Sequence, residues 1–134
     1  MLDADLKALS KHRLDRAAQT LVTAKRDLDA EDYASANNRA YYCIFYAMRA
    51  VLALTGEDYK KHSAVIARFT ELYLKTKQLP AELGKIISTA SIIRNHSDYQ
   101  DFYICSIEDT KKLIENAEWM LNTVTTFLQQ QYKA

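Results

Sequence analysis

Arg94, Asn95 and His96 head a run, Arg-Asn-His-Ser-Asp-Tyr-Gln-Asp-Phe-Tyr (94–103), that follows an apolar helical pattern and crowds ionisable and aromatic side chains together. An arginine can hold a phosphodiester through two parallel N–H bonds and stabilise charge that develops on it; a histidine exchanges protons near neutral pH. Together they are the minimum equipment for metal-independent RNA cleavage, with Arg94 and His96 as the catalytic pair and Asn95, Asp98 and Tyr99 as ligand contacts. Residues two apart on a helix project about 200° from one another, so Arg94 and His96 can share a site only if their helix ends at Arg94 or Asn95. The alternative is structural: Arg94 pairs with Asp98 or Asp101, and Tyr99, Phe102 and Tyr103 pack the connection, because buried charges are costly unless paired.

Two further positions carry chemistry. Arg39, Tyr42, Tyr46 and Arg49 fall at helical spacing on one face, either as a solvated rim in which rings cover arginine stems or as a pocket wall in which Arg39 and Tyr42 contact a ligand. His62 precedes Ser63, a residue suited to cap a helix, and a histidine at a positive helix terminus could also receive a phosphate.

Other chemistries lack their residues. His12, His62 and His96 lie on three different segments and neither Cys43 nor Cys105 belongs to a Cys-x-x-Cys pair, so no metal or cofactor is expected. Gly56 and Gly84 stand alone, which leaves no glycine-rich phosphate loop. With 18 basic and 17 acidic residues and a net charge of +1, any nucleic-acid surface must be a local patch rather than a general field. Two cysteines among apolar neighbours suit a reducing compartment, and with neither a leader-like N-terminus nor an apolar run long enough to span a bilayer, a cytoplasmic protein without a membrane partner is expected.

These side chains must be positioned by helices. Two Gly and one Pro in 134 residues leave little for hairpins, and strong helix formers occur throughout. Periodic apolar residues predict helices over about 6–28, from Tyr33 to Gly56, from Ala64 to about Lys75, from Pro80 to Arg94 or slightly beyond, and from Ser106 to the C-terminal end. The second helix is apolar on two adjacent stripes, one of which includes Tyr41, and so belongs at the centre of the fold. The expected architecture is all-α, an up-and-down four-helix bundle with an additional short helix, in one domain over 1–134.

The segments Asn38-Arg-Ala-Tyr-Tyr-Cys-Ile-Phe-Tyr-Ala-Met-Arg-Ala-Val-Leu, Lys61-His-Ser-Ala-Val-Ile and Leu79-Pro-Ala-Glu-Leu-Gly, with Arg94, Ser97-Asp-Tyr and Asp101-Phe after them, resemble the HEPN domain, and most of all its small stand-alone bacterial and archaeal members. The resemblance implies a helical bundle, commonly a homodimer, often the toxin half of a toxin–antitoxin pair with a minimal nucleotidyltransferase. Many such proteins are metal-independent RNases whose motif is an arginine, often followed by a polar residue, then a histidine. Arg94 and Asn95 match its start; the window for the histidine holds Tyr99, Gln100 and Asp101. Three expectations follow: a cleft that binds RNA or a nucleotide through Arg94, Asn95 and stacking on Tyr99, with weak or absent cleavage; an active ribonuclease in which His96 or His62 supplies the missing histidine, with Tyr99 and Tyr103 open to adenylylation; or an interaction module without chemistry.

Overall fold

Helices begin where polar side chains can close the first turn. In the computed structural model, which describes residues 3–99 and 106–134 and leaves the side chains of 97–99 outside the description, Asp3 accepts the amides of Asp5 (2.7 Å) and Leu6 (3.3 Å) and opens α1 (Ala4–Asp29). Asp32 takes the Ser35 amide at 3.2 Å at the start of α2 (Tyr33–Leu52), and Ser106 takes that of Asp109 at 3.0 Å at the start of α5 (Ile107–Lys133). Each such cap satisfies an orphaned amide and contributes about 1 kcal/mol.

α3 (His62–Phe69) starts differently from the sequence expectation. Its N-cap is Lys61, extended and without a side-chain cap bond, so Ser63 lies inside the helix instead of capping it. The helix then runs into a π-helical turn, Thr70–Leu74. α4 (Glu82–Tyr99) begins two residues after Pro80, whose carbonyl accepts the Leu83 amide at 3.1 Å, and it extends five residues past Arg94.

The end of α2 follows its sequence more closely. A 3₁₀ turn, Ala53–Thr55, leads to Gly56 at φ +78°, a left-handed position that a side chain disfavours. A Cβ there would meet only Leu6 Cδ1 at 3.8 Å, an ordinary contact, so the cost of Gly56→Ala is backbone strain alone. Urea unfolding should show a loss of about 1–2 kcal/mol; no loss would mean that the turn relaxes freely.

The core is built around α2, which packs against α1, α3, α4 and α5. Ala17 and Ala24 of α1 and Ala36, Ala40, Ala47 and Ala50 of α2 are fully buried; side chains this small let the two backbones approach closely. Ile44, Met48 and Val51 of α2 join Leu83 and Ala90 of α4 and Leu113, Met120, Val124 and Leu128 of α5 to fill the interior. Buried Ser10 ties three helices together: its hydroxyl donates to Ala50 O (2.7 Å) and meets the Tyr132 hydroxyl (2.7 Å). The fold is therefore all-α, with four long helices, one short helix and no strand among the described residues. None of the described helices is long and apolar enough to cross a membrane.

Candidate functional site

The first turn of α3 and the outer half of α4 converge on one side of α2. His62 Nδ1 lies 2.8 Å from the Tyr41 hydroxyl and 3.0 Å from Arg94 Nη1. A guanidinium has only donors, so Nδ1 must accept from Arg94, and the neutral ring carries its proton on Nε2. The Tyr41 hydroxyl points at the same nitrogen, and because Nδ1 has a single lone pair the two donors share it. The ring is held from both sides, stacked on Phe45 with centroids 4.1 Å apart and edge-on to Tyr42 at 5.8 Å. Arg94 in turn lies over the Tyr41 ring, its guanidinium carbon 4.9 Å from the centroid and 5.7 Å from that of Tyr42.

Beside this triad opens a cleft of about 370 Å³ whose lining includes His62, Tyr42, Tyr46, Arg16, Arg49 and Lys60. Arg16 covers the Tyr46 ring at 4.5 Å. Flat aromatic faces alternating with cationic groups are what a nucleotide needs, since bases stack and phosphates seek cations. Tyr42, Tyr46 and Arg49 thus form a pocket wall. Arg39, the fourth member of that helix face, lies over Tyr42 at 5.8 Å but lines a separate shallow hollow, with Nη2 donating to Asn38 Oδ1 at 2.6 Å.

The structure does not bring Arg94 and His96 together. Because α4 continues to Tyr99, the two residues stay in helical register and project about 200° apart, so the condition for a shared site is not met. The histidine that reaches Arg94 is His62. Asn95 is exposed beside it in sequence. The side chains of Asp98 and Tyr99, and the whole of Asp101, Phe102, Tyr103 and Cys105, lie outside the described residues. Cys43 is buried, and burial pushes its thiol up to about 12, which makes it an inert core residue. No group of three His, Cys, Asp or Glu side chains among the described residues could hold a metal ion.

Tyr41, Phe45, Arg16 and Lys60 complete the site without having been singled out by sequence. Tyr41 carried a signal: a tyrosine on a buried stripe must find a partner for its hydroxyl. Asn37, one turn before Tyr41, is also buried, and neither of its amide atoms has a hydrogen-bond partner among the described residues.

Burial, then the Arg94 charge, then Arg49, hold the pKa of His62 below the ordinary histidine value. As pH falls, the unfolded chain therefore binds the histidine proton first, and stability falls with it. The contribution is complete above the unfolded pKa of about 6.5 and is lost as the pH drops from there through the lowered folded value. In urea unfolding, the stability difference between the wild type and His62→Gln should shrink from pH 8 to pH 5. A difference independent of pH would mean that His62 titrates alike in both states.

Comparison with known proteins places this geometry in context. A model of the HEPN domain matches residues 10–127. A UPF0332 protein of Thermotoga maritima is 34% identical over 119 residues, which cover 89% of this chain and 90% of that one. A Methanocaldococcus jannaschii protein named "putative toxin" is 32% identical over 115 residues, 86% of this chain and 78% of its own. A second protein of that organism with the same designation is 25% identical over 130 residues, 97% of this chain and 96% of its own.

Proposed function

The chain belongs to the HEPN family, and on that premise we propose that it is a toxin-like HEPN protein whose cleft at His62 and Arg94 binds RNA or a nucleotide. The observation that carries this reading is the Arg94–His62–Tyr41 cluster, an arginine held 3.0 Å from a neutral histidine that lines a cationic, aromatic cleft. The Arg94 guanidinium takes the phosphate, and Tyr42 and Tyr46 offer faces to bases.

The same pairing favours cleavage as a second reading, with His62 in place of His96. When a phosphate draws the Arg94 guanidinium away and the Tyr41 hydroxyl rotates off, His62 Nδ1 is able to take the proton of a ribose 2′-hydroxyl. The 2′-oxygen attacks phosphorus, the 5′-oxygen leaves with a proton from water, and a 2′,3′-cyclic phosphate remains. Homodimerisation, pairing with a minimal nucleotidyltransferase and adenylylation at Tyr99 or Tyr103 belong to the same family-based proposal.

Incubation of purified protein with total RNA and tRNA in EDTA tests both readings, with Arg94→Ala and His62→Ala alongside. Cleavage lost in both variants supports the ribonuclease. Arg94-dependent RNA retention without cleavage supports a binding domain. Neither cutting nor Arg94-dependent retention would sink both and shift the weight to a protein-interaction module.

A further inference from the structure

We propose that Arg16, Arg49 and Lys60 form a second phosphate subsite in the cleft, closed in this structure by the protein's own Asp58, so that the ligand is a single-stranded oligonucleotide held by two successive phosphates. This rests on the reading of Arg94 and His62 as the first phosphate and chemistry site, and it specifies the ligand class that the site takes.

The cations outnumber their counter-ion. Arg13 Nη2 and Arg49 Nη2 both reach Asp58 Oδ1, at 3.4 and 3.0 Å, so two guanidinium groups share one carboxylate oxygen. Arg16 and Lys60 line the same hollow as Arg49 and Asp58 and add two more positive charges. Four cations against one carboxylate leave an excess suited to an anion. Arg49 also has donor capacity in reserve, because its Nε is buried without a hydrogen-bond partner among the described residues.

The subsite is preformed, and its occupant is displaceable. The Arg13 Nη1 donates to the Arg49 carbonyl at 3.2 Å, which fixes the two arginines to one another. The loop bearing Asp58 is pinned by its neighbour Glu57, whose carboxylate oxygens take Arg68 Nη2 at 2.9 Å and Nε at 3.0 Å. Asp58 has a side chain 62% exposed, whereas Arg13 and Arg49 are only 11% and 27% exposed, so the carboxylate can rotate into solvent when an incoming phosphate takes over the two half-buried guanidinium groups. A phosphate offers more charge and more acceptor oxygens than the carboxylate it would replace.

The spacing between the two subsites suits one nucleoside. Phe45 separates them: its ring stacks on His62 at 4.1 Å and lies 6.0 Å from the Arg49 guanidinium carbon. The Tyr42 and Tyr46 rings, 5.7 Å apart, provide faces along the same wall, the second already covered by Arg16. A base stacked there would have its flanking phosphates at opposite ends of the cleft.

The test measures binding of AMP and of the 5′-phosphorylated dinucleotide pApA to the full chain. The wild type should prefer pApA by about tenfold, the scale of one added charge-assisted contact. Arg16→Ala combined with Lys60→Ala, both exposed and safe for folding, should abolish the preference. Asp58→Asn should tighten pApA binding several-fold beyond the effect of Asp15→Asn, a control that removes the same charge from the neighbouring hollow that Arg16 also lines, without freeing Arg49. Arg94-dependent AMP binding with no preference for pApA, or equal effects of the two Asp→Asn changes, overturns this proposal alone. If neither probe binds, or binding survives Arg94→Ala, both it and the reading beneath it fall.

Discussion

Replacing Arg94 by Lys should cost nearly as much RNA affinity as replacing it by Ala, about ten- to a hundredfold, although the lysine keeps the charge. The reason is geometric. Arg94 reaches His62 with Nη1 at 3.0 Å while its plane lies over the Tyr41 ring at 4.9 Å, so the guanidinium is held as an oriented, planar fork of the kind that takes a phosphate. Lysine is a point charge on a flexible stem; it can neither stack in that way nor present two parallel donors. The two variants should still differ in salt dependence. Removing the charge in Arg94→Ala lowers the slope of log affinity against log salt by about 0.7 for single-stranded RNA, whereas Arg94→Lys retains the wild-type slope. Fluorescence anisotropy with a labelled single-stranded RNA at several salt concentrations, with urea unfolding of each variant, measures both. A lysine variant that binds like the wild type would show that only charge matters at this position. An Ala variant that loses about 1–3 kcal/mol of stability with unchanged affinity would make Arg94 a structural tie.

Local pattern made the helices legible, and tertiary placement hid the site. The two apolar stripes of α2 announced its central position, and Gly56 announced the turn that ends it, because both signals reside in consecutive residues. The start of α5 was equally plain in Ser106 and the acids behind it. By contrast, Lys61 is not a capping type, so the start of α3 shifted to His62, which joins the site from the first turn of the helix. The π-helical turn after Phe69 has no sequence signature of its own. The end of α4 was harder still, because a polar run such as Arg-Asn-His-Ser-Asp reads equally as loop and as solvated helix. That ambiguity let His96 stand as the partner of Arg94, whereas the histidine seen to meet Arg94 lies 32 positions away on another helix. His62 was visible as an alternative histidine, but no periodicity could report its distance to α4. Asp58 was similarly unreadable: a carboxylate in a short connection is unremarkable until Arg13 and Arg49 are seen to converge on it.

Phe69→Ala should be the most damaging of these substitutions to the fold, and it should damage the site as well. Phe69 is fully buried at the end of α3, with its ring 5.9 Å from Tyr73, which in turn meets Phe127 of α5 edge-on at 5.8 Å. Truncating a buried phenylalanine costs about 3–5 kcal/mol through lost transfer energy and the cavity left behind. Against a total stability of about 5–15 kcal/mol for a domain, that is a large share. The coupling to function follows from spacing: His62, Val65 and Phe69 stand at i, i+3 and i+7, so all three lie on the inner face of one eight-residue helix. A helix that short does not hold itself in water and depends on its buried anchors. Val65 and Phe69 are those anchors, and loosening the second frees the turn that keeps His62 against Tyr41 and Arg94. RNA affinity of Phe69→Ala should therefore fall even at temperatures where the chain remains folded, whereas Phe69→Leu, which refills most of the volume, should cost about 1–2 kcal/mol and keep its affinity. Circular dichroism in urea and anisotropy at 25 °C separate the two effects. A stability loss below about 1 kcal/mol would show that the cavity collapses without strain, and full affinity in a destabilised but folded Phe69→Ala would show that His62 is held by its contacts with Tyr41, Tyr42, Phe45 and Arg94 without help from the Phe69 anchor.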